Sequence, residues 1–517
     1  MADDPADEPK EQTCEEQKSV DVAEPGPEEK TAQDGENGNQ VAAAEQPKVD
    51  TKITCKEIIV IGILFTINLV NYMDRLTISV VLTEVQAYFD IDNAQAGFIK
   101  TIFLTCFLGV APVCGFLGDR YNRKWILVFG LVIWIGGVMA LTFVPANLFY
   151  LFLGICVIVG VGEASYSIIA PSINMFKGTV RSKVIMVFYL AIPIGSGLGY
   201  VVGSNVAAAM GAWQWGLRIT PIIGAICVIV LIVFVDEPKR EVLEKMPEEE
   251  AGSIFKDIWY LMKNKTYVFS TWGCTFMIFT VGTLSWWIPY TIEYAKATAA
   301  KLPSVADLPE EERQSIGTVF GMVVLSAGLV GVITGTVVAT MWKKGRFCFS
   351  KSKKADIFVC IIGSTGAVPF LYIAMAVLPG DFTVFYVFVF LSITHLSLNW
   401  AVTVDLLMYI VPPRKRNIAS AFQITVGHAF GDAASPAIVG KISDLIAGDD
   451  HSPPSRLRAI KLAFWLPNLA AILSAIMFIL SAFTLHGDFG KLQKLEDNNE
   501  KNPDTTNNLK TAVASDV

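Results

Sequence analysis

Apolar stretches of about twenty residues recur along this chain between short polar turns, and each is long enough to cross about 30 Å of hydrocarbon as a helix. They fall at roughly 58–82, 96–118, 125–144, 148–170, 184–210, 219–235, 267–292, 317–341, 357–378, 382–411, 418–440 and 462–484. Backbone in lipid must satisfy its own hydrogen bonds, so the pattern predicts twelve transmembrane helices in an all-α membrane protein. A polar stretch between the sixth and seventh divides the chain into parts. These are a disordered acidic cytosolic tail (1–56), an N-terminal six-helix half (57–235), a cytosolic linker (236–266), a C-terminal six-helix half (267–485) and a second disordered cytosolic tail (486–517). Inside the linker, Ile254, Phe255, Ile258, Trp259, Leu261 and Met262 alternate with Lys256, Asp257 and Lys263, which predicts a short interfacial amphipathic helix.

Composition sharpens the picture. Of 517 residues 53% are hydrophobic and only 17% charged, against about 25% charged in soluble domains, which excludes soluble enzymes and nucleic-acid binders. Residues 1–50 carry 15 acidic side chains against 4 lysines, and residues 486–517 carry 6 against 4, so the net charge of -7 leaves the membrane region positive. That positive charge is sided. Arg120, Arg123 and Lys124, then Lys177, Arg181 and Lys183, then Lys343, Lys344 and Arg346, then Arg414, Lys415 and Arg416 follow even-numbered helices, while the opposite loops hold only a few such as Lys296, Lys301, Arg313, Arg456 and Arg458. The positive-inside rule then places both termini in the cytosol. The single sequon, Asn264-Lys265-Thr266, falls on that side. The nine cysteines stand singly without metal-ligand spacing, so neither a metal nor a cofactor is expected. No Ser-His or HExxH motif marks an intramembrane enzyme.

Six charged residues lie inside the apolar runs: Asp74, Arg75, Lys100, Glu163, Asp405 and Asp432. Each costs about 2.5–3.5 kcal/mol at a helix centre on insertion scales, so such groups face a cavity or a partner. Lys100 reads as a snorkelling residue near a helix end, and Asp405 as a boundary residue. Asn68, Asn71, Asp74 and Arg75 form a polar band on the first helix, read either as a proton or headgroup site or as an Asp–Arg pair that neutralises itself. Glu163 stands among Gly160, Gly162, Ser165 and Ser167, small residues that leave a protonatable carboxylate within reach. Thr425, His428, Asp432 and Ser435 make a stripe on the eleventh helix, read as a proton relay or as interhelical hydrogen bonding. Gly195, Gly199 and Gly203 form a close-packing face on the fifth.

The loop after the second helix, Gly115-Phe-Leu-Gly118-Asp119-Arg120-Tyr121-Asn122-Arg123-Lys124, resembles the G-x-x-x-D-R-x-x-R-[RK] signature of the major facilitator superfamily. As a cytosolic latch, Asp119 is expected to cap the next helix while Arg120, Arg123 and Lys124 pair across the gate. The equivalent stretch from Gly335 to Arg346 is degenerate. More narrowly, Asn68 to Arg75, Gly160 to Ser167, Ile192 to Tyr200, Leu217 to Pro221, Asn399-Trp400-Ala401 and Phe422 to Pro436 resemble the spinster family. The resemblance implies a secondary active transporter moving a sphingolipid or lysophospholipid, such as sphingosine 1-phosphate, by alternating access, with protons as the coupled partner in some members. It implies a late endosomal or lysosomal membrane, the plasma membrane being the alternative. Carried over by position, Asp74 and Glu163 are the proton-coupling carboxylates. Asn71, Tyr72, Arg75, Tyr166, Arg218, Asn399, His428 and Asp432 are the substrate-binding set. Where the family pattern has an arginine seven residues before the helix-four glutamate, this chain has Cys156, which leaves Glu163 without its expected basic partner unless Arg218 supplies one. The rival readings are a transporter of another small organic anion or sugar, and a receptor or scaffold that no longer transports.

Overall fold

The computed structural model describes residues 55–169, 178–235, 254–347, 350–352, 354–412 and 415–501. Their secondary structure is helical. The first half comprises α1 (Cys55–Val80), the short α2 (Leu82–Phe89), α3 (Asn93–Arg120), α4 (Arg123–Leu141), α5 (Phe149–Ile169), α6 (Gly178–Met210) and α7 (Trp213–Phe234). After α8 (Ile254–Lys263) come α9 (Lys265–Ala299), α10 (Glu310–Lys344), α11 (Ala355–Val377), α12 (Phe382–Ser397), α13 (Asn399–Ile410), α14 (Arg416–Gly427), α15 (Ser435–Ala447), α16 (Pro453–Ala463) and α17 (Trp465–Lys501). Eleven stretches are long and apolar enough to cross a membrane, α12 with α13 and α16 with α17 each counting as one. The twelfth crossing is composite. α14 and α15 are joined through a π-helical turn, His428–Asp432, so no single helix of full length covers it.

Local chemistry sets several of the ends. Asp92 and Gln95 form a reciprocal capping box at the start of α3, satisfying donors that the first turn cannot. Asn122 caps α4 by accepting from the Trp125 amide at 3.1 Å, which corrects the expectation that Asp119 does so: the N-cap must immediately precede the first turn, and Asn122 holds that place. Lys124 donates to the Ile232 carbonyl at the end of α7, 2.8 Å away, tying the loop to its own half. The side chains of Asp119 and Arg120 fall outside the described residues. Asn264, the sequon residue, caps α9 and donates to the Ile410 carbonyl at 2.8 Å. α8 buries Leu261 and leaves Trp259 and Met262 exposed, as an interfacial helix does.

The packing depends on close backbone approach. A Cβ on Gly199 of α6 would sit 2.6 Å from the Met73 carbonyl of α1, so only glycine permits this crossing. Between the halves, a Cβ on Gly97 of α3 would lie 2.4 Å from the Pro436 carbonyl, and one on Gly440 of α15 would lie 2.3 Å from that of Asn93. Polar contacts join the halves at this same end of the bundle. Asn93 donates to Ser443 and the Ala94 amide to Asp444, which Arg456 also grips at 2.8 Å. Asn205 bridges Thr318 and Gln314. Arg313 pairs with Glu84 at 3.2 Å, and Thr83 donates to Glu293. Burial pushes the Glu84 carboxyl up, against the pull of Arg313. This sealed end is the one the positive-inside rule expects on the extracytosolic side.

Candidate functional site

On α1, Asp74 and Arg75 diverge. Successive helical residues are about 100° apart, so neighbours in sequence do not face each other. Asp74 turns into the first half, accepting from the Thr220 hydroxyl of α7 at 2.8 Å and from the Trp134 indole of α4 at 3.2 Å. Arg75 turns toward α5, where its guanidinium makes an ion pair and hydrogen bond with Glu163. Its flat face lies over three rings: Tyr72 at 4.9 Å, Phe107 at 5.0 Å and Phe103 at 5.6 Å. The self-neutralising Asp74–Arg75 pair is thus not what the structure contains. Glu163, 1% exposed, does have a basic partner despite Cys156. Cys156 itself is buried within electrostatic reach of Asp74.

A second charged cluster faces this one from across the halves. The Lys100 ammonium of α3 lies 2.6 Å from Asp432, 3.1 Å from the Ser285 hydroxyl of α9 and 5.8 Å from the Trp286 ring. His428 stands 3.7 Å from the other Asp432 oxygen. Lys100 does not snorkel to a helix end. It is seven residues inside α3, about 10 Å along the axis, and its charge is answered by a carboxylate of the opposite half. Just beyond it, Thr101 donates to the Ala433 carbonyl at 2.5 Å and Tyr200 to that of Ser285 at 2.6 Å, where the inter-half seal begins.

The remaining expected site residues are dispersed. Tyr166 is fully buried and pins α5 to α1 through the Leu64 carbonyl at 2.7 Å. Arg218 lies near the outer end of α7, sandwiched by Phe143 and Trp215 at 4.8 and 4.7 Å and bonded to Thr142, well apart from Glu163's pairing with Arg75. Asn399 is buried against α11, donating to Ser364 at 3.4 Å. Asp405 is exposed and pairs with Lys343 at 3.3 Å, as a boundary residue would. Asn71, one turn before Arg75, is buried beside the Glu163 carboxylate. Sequence reasoning missed Trp134, Thr220 and Ser285, and it missed the outer pair Glu84–Arg313. No signal singled that pair out: Arg313 directly follows Glu310, Glu311 and Glu312, and Glu84 stands near Asp90 and Asp92, so other pairings were equally open.

The arrangement is therefore a bundle closed at one end, with one ion pair on an aromatic bed inside its first half and a second ion pair joining its halves. The profile of the Major Facilitator Superfamily matches residues 64–436. Protein spinster homolog 1 of Bos taurus is 36% identical over 439 residues, covering 83% of this chain and 81% of that protein. The sphingosine-1-phosphate transporter SPNS2 of Xenopus tropicalis is 36% identical over 438 residues, covering 84% and 83%. A crystal structure of a bacterial homolog to the human lysosomal transporter spinster, inward-facing and unoccupied, superposes with a TM-score of 0.71 at 16% identity, covering 84% of this chain and 99% of that one.

Proposed function

We propose, for a chain that belongs to the spinster family of the major facilitator superfamily and is a multi-pass membrane transporter, that its cargo is a sphingolipid or lysophospholipid with an anionic head, moved by alternating access with a coupled proton. The observation that carries this reading is Arg75: a cation on an aromatic bed, held by the single carboxylate of Glu163. A guanidinium offers a planar fork that binds a phosphate through two parallel hydrogen bonds. Glu163 occupies that fork until a proton neutralises it. Loading the proton frees Arg75 for the headgroup, while Phe103 and Phe107 give the start of the tail an apolar surface. When Glu163 deprotonates it reclaims Arg75 and expels the head. Both residues lie in the same half, so rocking alone does not part them; chemistry does. Rocking then opens the seal beyond Lys100 and closes the cytosolic end, where Gly115, Asp119, Arg120, Arg123 and Lys124 act as the latch.

The relatives support the cargo: a sphingosine-1-phosphate transporter is among them. The late endosomal or lysosomal membrane is the proposed location, supported by likeness to a homolog of a human lysosomal transporter. Purified protein in liposomes, offered labelled sphingosine 1-phosphate and lysophospholipids, tests the reading. Across about two pH units one coupled proton supplies roughly 2.7 kcal/mol, which supports about a hundredfold accumulation of cargo if the coupled step moves no net charge. Exchange without accumulation overturns the coupling, and no movement of either lipid class overturns the cargo.

A further inference from the structure

We propose that Lys100 is a second headgroup cation, kept masked by Asp432, and that it sets a preference for lipids whose heads carry two negative charges. This rests on the lipid reading above. Lys100 is 8% exposed, yet of its three ammonium donors only two are engaged, by Asp432 at 2.6 Å and Ser285 at 3.1 Å. A third is open to an acceptor. Around it are further donors that the closed arrangement leaves unused. The Ser435 hydroxyl is fully buried and the Trp286 indole 1% exposed, and neither polar atom has a hydrogen-bond partner. Leaving a buried donor without a partner is costly, so these donors are suited to an incoming acceptor. A phosphate oxygen has the charge and the lone pairs to serve them.

Asp432 is built to give way. It ends the π-helical turn between α14 and α15, an irregularity found mostly at functional sites and not fixed in place by a regular helical ladder. Ser435 and Asp432 lie together against Gly282, where a Cβ would meet them at 2.7 and 2.6 Å. Withdrawal of the carboxylate therefore exposes the hydroxyl to the same space. Asp432 is also within electrostatic reach of Arg75. A phosphomonoester head with two charges engages Arg75 and displaces Asp432 from Lys100. A phosphocholine head carries its own quaternary cation, which Lys100 repels, and it gains nothing from the displacement. Because Lys100 and Asp432 belong to opposite halves, this displacement also loosens the first contact of the inter-half seal.

The experiment measures dissociation constants of detergent-purified full-length protein for sphingosine 1-phosphate and for lysophosphatidylcholine, and reads their ratio. In Lys100→Gln the preference for the phosphomonoester should fall about tenfold or more, the size expected when one charge-assisted contact is lost. Lys100→Arg should preserve it. Asp432→Asn unmasks the ammonium and should raise the preference severalfold, a sign opposite to that of a purely structural pair, whose disruption weakens both lipids alike. If Lys100→Gln does not fold, the Lys100→Arg and Asp432→Asn ratios decide. A ratio unchanged within about twofold in Lys100→Gln, or lowered in Asp432→Asn, overturns the inference and leaves the lipid reading standing. Binding of neither lipid to the unaltered protein overturns both.

Discussion

Two buried ion pairs divide the chemistry of this protein between them. Arg75 and Glu163 both belong to the first half, on α1 and α5, while Lys100 and Asp432 face each other across the two halves. Both pairs are costly to bury and costly to break by removing one partner, but they break for different reasons. The first lies within one half, so on the proposed mechanism it would part only when a proton or a competing anion arrives. The second must part whenever the outer seal opens, whatever is bound. A transporter of the proposed kind needs both kinds of event, and the proposed mechanism gives each its own pair. Any coupling between them is a shared free energy between the two events.

The largest expected effect comes from deleting the first pair's cation. Arg75→Ala should reduce transport of a phosphorylated lipid by about a hundredfold or more, since it removes a bidentate contact and leaves Glu163 buried and unanswered. Arg75→Lys should reduce it by about tenfold, because an ammonium keeps the charge and loses the fork. Initial rates in liposomes at fixed lipid content measure both. Equal rates for the two variants would end the headgroup role of Arg75.

The second pair can be broken without touching its charges. Gly97→Val places a Cβ where Pro436 backbone already lies at 2.4 Å, so the halves must separate at that end. The expected result is a population opened outward, read as labelling of a cysteine introduced at Asn93 that rises by about tenfold over the parent, the gain of roughly 1.4 kcal/mol in the opening equilibrium. Arg75 and Glu163 stay together in this variant, so equilibrium binding of lipid from the open side should persist. Unchanged labelling would mean that the contact at Gly97 does not hold the seal.

Much of the architecture was legible because lipid leaves so few options: apolar length gave the spans. The difficulty lay in side-chain direction. Asp74 and Arg75 read as one unit because they are adjacent, yet the helical turn sends one to Thr220 and Trp134 and the other to Glu163. Lys100 read as a snorkelling residue because its partner lies 332 positions away on a helix whose break at His428–Asp432 has no signature in periodicity. The latch motif was legible as a motif, but the cap it was expected to supply comes from Asn122.

The divergence of Asp74 and Arg75 changes which carboxylate should govern pH dependence. On sequence adjacency Asp74→Asn is the decisive substitution. With Glu163 on the guanidinium, Glu163→Gln becomes decisive: it holds the neutral form permanently, so Arg75 is always available and acidifying the donor side no longer accelerates uptake. Asp74→Asn should keep acid-stimulated uptake, because its hydrogen bonds from Thr220 and Trp134 lie within the first half and away from the headgroup. Uptake rates across a pH series in both variants measure this. Retention of full acid stimulation by Glu163→Gln would transfer the proton to Asp74 or to the cluster of His428 and Asp432.

The smallest effect belongs to a residue outside both pairs and serves as their control. Asn122 caps α4 through one hydrogen bond to the Trp125 amide at a partly exposed loop. Removing such a cap costs about 1 kcal/mol, and in a bundle of this size that shifts the melting temperature by only about 2 °C. Asn122→Ala should therefore melt slightly earlier in a thermal unfolding assay. Its turnover and its preference among lipids should match the parent, since α4 moves as one body with α1 and α5 and neither ion pair feels the loss. Asp119→Ala, three residues earlier, should do the reverse: slower turnover at nearly constant lipid affinity, because a latch residue acts on the equilibrium between states and not on the cavity. A slowed turnover in Asn122→Ala, with stability unchanged, would move the latch function onto the cap itself and out of the Asp-Arg motif.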